Sequence, residues 1–338
     1  MTARSWEKTF TAAAQSMYAI LQYTDKKDAY TLVDLMGLSG HAFRINIHPQ
    51  DVSPAGPTMF SPTELLEKGL RILALTSEQL HGFRTPAPPE KLEEAVKFAQ
   101  ETIDRGIPAI GWSLFIPEFG VIYGYDDEKQ ELHCKDPSQD GPLPYSKLNE
   151  LPLNFVFMLR VRDSIPVDRM QALQTALKNI VSFAHEEAPT LSKEFRHGLA
   201  GYDAWIEAFR NRTVNPFGNA YNAEVVGDAR EFAVQFLRSL PGTWSGETGL
   251  SSQMDALAEE AANHYEEVAE AFRVFQCLFP HPHGGEPNDT KNAEAAIALL
   301  ERAKENETLG VAVLERLHKQ LEAVNAPASD AGSGIPTA

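Results

Sequence analysis

Cysteine is nearly absent from this chain. Cys134 and Cys277 are the only two in 338 residues, which excludes a disulfide framework and points to a reducing, cytoplasmic setting. Long apolar runs are missing as well: nothing approaches the ~18–20 residues that span a bilayer. The opening MTARSWEKTF has neither the apolar core nor the small-residue cleavage site of a signal peptide. Positive charge is scarce, with 30 Lys and Arg against 47 Asp and Glu for a net charge of −17. Phosphate backbones and anionic membrane surfaces both demand clustered cations, so neither a nucleic acid nor a membrane is expected as a partner.

Cofactor signatures are also lacking. Gly37-Leu-Ser-Gly40 is too short for a phosphate loop and runs into a strand, the reverse of the required order. His281 and His283, even with Glu286 or Asp289, fall short of four zinc ligands at recognisable spacing. His185-Glu186-Glu187 lacks the second His of a zincin helix. No metal and no cofactor are expected.

What remains is an ordinary globular composition, 43% hydrophobic and 23% charged, in a chain long enough for about two domains. Apolar residues recur at helical spacing from Phe10 to Leu21, and a shorter helix follows over Ala29–Met36. Ala42–His48 alternates in period two and predicts a strand, as does Arg71–Leu75. Ser61 and Glu64 fit a capping box, and a helix opens at Pro88 or Pro89 and stops at Gly106. Strands are predicted over Phe119–Tyr125, Glu131–Lys135 and Leu153–Val161, the first two joined by an acidic turn. Beyond Arg162 only helices are predicted: 167–187, 202–212, 224–240, 257–279, 293–306 and 309–324. The expected organisation is an α+β domain over 1–162, with helices and an antiparallel sheet. An all-α domain over 163–326 and a disordered tail over 327–338 complete it.

The stretch from Gly106 to Pro137 carries the strongest local pattern. Gly106-Ile-Pro-Ala-Ile110 reads as a strand before a loop, and Glu118-Phe-Gly-Val-Ile-Tyr-Gly-Tyr-Asp126 as a longer strand. Asp136-Pro137 closes the returning one. Over roughly residues 10–160 this order resembles papain-like domains, notably the bacteriocin-processing cysteine peptidases. The full layout also resembles the N-terminal domain family of the butirosin-biosynthesis acyltransferase. The resemblance implies a nucleophile near the start of the first helix, where Ser16 stands with Gln15 before it. It implies a His at the head of the longer strand, where Glu118 stands, and an orienting carboxylate at Asp136.

Both reactive groups of such an enzyme, the Cys and the His, are therefore replaced. A Ser hydroxyl needs a base near neutrality, and an ordinary Glu titrates near 4.3. Ser-Glu-Asp would also set two carboxylates where an imidazolium should form. Ser16, Glu118 and Asp136 are the candidate catalytic positions, and Gln15, His41, Trp112 and Tyr123 the candidate ligand-lining ones. His41 is an out-of-sequence base, although a loop His beside a Gly turn is ordinarily exposed and idle, and Arg44 and His48 read the same way. Cys134 reads as core, because neighbouring strand residues face opposite ways and His133 cannot reach it.

The leading expectation is a degenerate papain-like protein that binds a small molecule or peptide between the first helix and the sheet. The helical half would cover one side or mediate homodimerisation. Two alternatives stand beside it: an acyl- or aminoacyl-transferase or amidohydrolase using Ser16 with an unusual base, and an interaction module acting through the helical half. If Glu118 and Asp136 share a desolvated cleft, one should titrate high, favouring a cationic or amine ligand there.

Overall fold

The computed structural model describes residues 8–187, 192–243 and 251–325. The tail predicted over 327–338 lies outside the described residues. The chain is α+β, with antiparallel sheets in the first half and helices after it. Helix α1 (Ala12–Leu21) opens on three alanines, strong helix formers, and is buried along nearly its whole length. Helix α2 (Leu32–Leu38) starts with a complete capping box between Thr31 and Asp34. A 3-10 turn (His41–Phe43) leads to a two-residue strand β1 (Asn46–Ile47). A π-helical turn (Thr63–Glu67) runs into α3 (Lys68–Ile72), and half of the predicted capping box forms there, Ser61 Oγ accepting from the Glu64 amide at 3.4 Å.

The main sheet has six antiparallel strands in the order β2-β7-β3-β4-β5-β6. These are β2 (Leu75–Arg84), β3 (Ala109–Trp112), β4 (Phe119–Asp126), β5 (Glu131–Lys135), β6 (Asp140–Pro144) and β7 (Phe155–Ser164). Strand β2 replaces the strand predicted over Arg71–Leu75, where α3 instead runs to Ile72. It is an edge strand, so its sequence Thr-Ser-Glu-Gln-Leu-His-Gly is mostly polar and gives no alternation to read. Helix α4 (Pro89–Asp104) covers one sheet face and α1 lies across β3 and β4 on the other. The alternation along β7 shows the two layers: Phe157, Leu159 and Val161 face the α1 side, Val156 and Met158 the α4 side.

Among the described residues the second half comprises α5 (Arg169–Ala184), a short strand β8 (Arg196–His197) paired with β1, and four more helices. They are α6 (Leu199–Asn211), α7 (Pro216–Thr243), α8 (Ser252–Leu278) and α9 (Thr290–Asn325). The two helices predicted over 293–306 and 309–324 are one. The polar residue at the expected break, Glu307, is 2% exposed and turned inward. There it accepts two bonds from Arg230 of α7, Nε to Oε2 at 2.8 Å and a terminal nitrogen to Oε1 at 2.7 Å, and a third from the Tyr202 hydroxyl of α6. Burial alone would lower the Arg230 guanidinium, but the Glu307 charge outweighs it and holds the group firmly protonated.

The other terminal nitrogen of Arg230 donates to the carbonyl oxygens of Ala42 and Arg44, at 3.1 and 3.0 Å. That explains why the strand predicted over Ala42–His48 shrinks to Asn46–Ile47: those carbonyls serve a guanidinium rather than a neighbouring strand. The largest core cluster accordingly joins α1, α2 and the sheet to α5, α7, α8 and α9, from Ala12 to Leu321. Strands give way to helices near residue 162, but the packing does not divide there. Among the described residues no helix is long and apolar enough to cross a membrane.

Removing one partner of a buried, fully hydrogen-bonded ion pair leaves an uncompensated charge. Glu307→Ala should therefore destabilise the protein by about 3–5 kcal/mol in urea unfolding, and a paired Arg230→Met/Glu307→Leu replacement should be less damaging than either single change.

Candidate functional site

Asp136 sits at the end of β5, where Gly120 lets the two strands approach closely. A Cβ on Gly120 would lie 2.5 Å from the Lys135 carbonyl oxygen and 3.0 Å from the Asp136 Cβ. The Asp136 carboxylate is 1% exposed and accepts five hydrogen bonds. Oδ2 takes the amides of Phe115 and Ile116 at 2.9 and 3.0 Å. Oδ1 takes the Ser138 amide and hydroxyl and the Gln139 amide at 2.8–3.0 Å. The group thus clamps the loop before β4 to the turn after β5. That loop is itself tight: Ser113 has φ +57°, and its amide donates to the Glu118 carbonyl at 2.8 Å.

Glu118 closes the loop and is 8% exposed. Burial pushes its carboxyl up to about 7, opposed by a hydrogen bond from the Tyr221 hydroxyl and reinforced by the Asp136 charge. Desolvation, rather than the like charge, is the larger cause. Tyr221 belongs to α7, so Glu118, expected from sequence as a candidate catalytic residue, is in this structure a tie between the sheet and the helical half. Tyr221 also stacks on the exposed Phe217 and lies 6.0 Å from the His281 ring.

Ser16 lies in the second turn of α1 with no measurable exposure, and its Oγ donates back to the Ala12 carbonyl at 2.8 Å. Gln15 beside it is 1% exposed. Trp112 is half-buried against Phe119 at 4.7 Å. Tyr123 donates to Asp140 Oδ1 at 2.7 Å and, through burial first, has its phenol raised to about 12. Cys134 is buried in the α4-side core, which lifts its thiol well above the usual range.

His41 is 3% exposed, not the idle surface residue its Gly neighbour suggests. Its Nδ1 meets Ser39 Oγ at 2.7 Å, and that hydroxyl is itself directed at the Leu35 carbonyl. A hydroxyl carries one hydrogen, so Nδ1 donates and Nε2 is left as a bare, buried acceptor with no partner. Burial first, then the Arg44 charge, lowers the imidazole to about 3, far too weak for a general base near neutrality.

The structure does place an open pocket nearby, a cavity of about 260 Å³ where the end of α2 meets α3 and α5. Ser39, Arg44, Phe60, Lys68, Ile180 and Phe183 are among its walls. Arg44, read from sequence as idle, has its guanidinium 3.9 Å from the Phe183 ring centre and 5.6 Å from that of Phe60. Tyr221 carried no sequence signal at all. It sits among the buried Asn219 and Asn222 at spacing that reads as an ordinary polar helix face. Compared with known proteins, the chain matches no family model and no curated protein. Among the described residues no cluster of His, Cys, Asp or Glu is placed to hold a metal ion.

The Glu118 proton is held more tightly in the folded chain (about 7) than at its ordinary value of 4.5. The folded state then binds more protons between those values, so stability present below pH 4.5 is lost as pH rises through 7. The loss should amount to about 3 kcal/mol. Glu118→Gln should abolish that part of the fall, read as the difference between the two pH–stability curves. Asp228, raised to about 6 by burial, contributes in the same direction to both proteins.

Proposed function

We propose that the protein is a non-hydrolytic, papain-like binding protein that takes a small molecule in the pocket between α2, α3 and α5. The observation that carries this reading is that each group at a catalytic position is engaged in holding structure. The Ser16 hydroxyl serves the helix backbone, Glu118 serves Tyr221, and Asp136 serves five loop donors. None retains the freedom to move a proton or attack a carbonyl. The imidazole beside a hydroxyl in this region, His41 with Ser39, is too weak a base to supply the missing step.

The layout of α1 against β3 and β4 supports a papain-like ancestry, with the helix that would carry the nucleophile packed on the sheet that would carry the base. The junction itself is closed by Ser16, Gln15 and Phe119, all at or below 1% exposure. The pocket nearest this junction opens at the far end of α2 instead, and its enclosing walls give a ligand room there. A homodimer and a cytoplasmic location belong to the same reading as expectations.

A fluorophosphonate probe should leave Ser16 unlabelled, and Ser16→Ala should not change the response of the protein to thioester or peptide substrates. Mass-spectrometric labelling of Ser16, or acyl transfer abolished in Ser16→Ala, would overturn the reading.

A further inference from the structure

Arg44 differs from Lys135, Arg160 and Arg230, the buried cations among the described residues, each of which pairs with a carboxylate. Arg230 is buried with a carboxylate and two carbonyl oxygens. Arg44 has two aromatic faces and nothing else: among the described residues no group accepts a hydrogen bond from its side chain and no carboxylate pairs with it. Its Nε is shut off from water with no partner. Burial lowers the guanidinium to about 9, with no opposing charge acting on it, so it is still a cation at neutral pH. Buried charges in folded proteins are ordinarily paired, because water is replaced by something that answers the charge. Here the rings of Phe183 and Phe60 attend to the faces of the guanidinium, which leaves its N–H edge for an acceptor.

We propose that Arg44 anchors a binding site for a small monocarboxylate with an apolar body. This rests on the ligand-binding reading above and names the ligand class it requires. A carboxylate matches the planar fork of the guanidinium with two parallel hydrogen bonds. Part of the remaining wall suits an apolar body, with Phe43, Leu65, Ile72 and Ile180 among its residues. A volume near 260 Å³ admits a phenyl or short alkyl group and excludes a peptide of several residues. The charge on the ligand is limited to one. Glu64 and Glu187 also line the pocket, and Lys68 is already paired with Glu64, so among the described residues a phosphate dianion would meet two carboxylates with one free cation to offset them.

The anchor is held in place from behind. The Arg44 carbonyl is bound by Arg230, and its neighbour Ala42 likewise, so the segment bearing the guanidinium is tied to the buried ion pair. Gly40, at φ +80°, turns the chain from α2 into this segment.

The test is calorimetric titration of the full chain with benzoate, hexanoate, the uncharged benzamide and inorganic phosphate. Benzoate or hexanoate should bind, and benzamide and phosphate should not. Arg44→Met should weaken carboxylate binding by roughly tenfold or more. Ile180→Phe, which fills the cavity without touching the cation, should abolish it and decides the matter if Arg44→Met fails to fold. The proposal is overturned if neither carboxylate binds at millimolar concentration, if binding survives both substitutions, or if phosphate binds more tightly than benzoate. No carboxylate binding by the unaltered chain, with Ser16 still unlabelled by fluorophosphonate, would sink this assignment alone. Labelling of Ser16 would sink the broader reading.

Discussion

The guanidinium of Arg230 meets the carboxylate of Glu307 in a part of the molecule with no water to share the charge. Satisfying that pair draws in Tyr202 from α6 and two carbonyls from the segment after α2. Four separate stretches of chain thus answer to one charge pair. The consequences reach outward: α9 runs unbroken through its midpoint because Glu307 is needed inside. The Ala42–Arg44 segment coils instead of extending because its carbonyls are claimed. Buried ion pairs in general add little net stability over well-packed apolar residues of similar volume, and this one ties together four stretches of chain.

The site shows the same logic in reverse. A papain-like frame would require three groups poised with unfilled valences, and here each has acquired a partner. Asp136 organises two turns where an orienting carboxylate would face an imidazole. Glu118 reaches across to α7, and desolvation rather than catalysis accounts for its high titration. Among the groups left without a partner are the Nε2 of His41 and, beside the open pocket, Arg44, whose charge has stacking partners and no acceptor among the described residues.

Much of the secondary structure was legible. The helix at Pro89–Asp104 and the strands at Phe119, Glu131 and Phe155 follow from proline placement, glycine stops and β-branched runs. The α+β class followed from the switch of period near residue 162. Strand β2 was not legible, because an edge strand facing water has no reason to alternate. The joining of two predicted helices into α9 was hidden for another reason: an inward Glu looks like a surface Glu until its distant Arg is known. Arg44 and Tyr221 were obscure on the same ground, since their meaning lies in partners 139 and 103 positions away, Phe183 being only the nearest ring to one and Glu118 the acceptor for the other. Local pattern reports what a residue does to its own segment, and these residues act on others.

The principal core gathers α1 and α2 together with Val313, Leu314, Leu317 and Leu321 of α9. A chain is made from one end to the other, so the first helices leave the ribosome long before the residues that must cover them. During that interval the apolar faces of α1 and α2 have no permanent cover, and loop closure over some three hundred residues precedes the contacts that reward it. The sheet with α4 has a cluster of its own and can form early. The α1 side cannot be completed until synthesis has passed α9, which makes a nascent chain stalled in the helical half the species most exposed to chaperones and to aggregation.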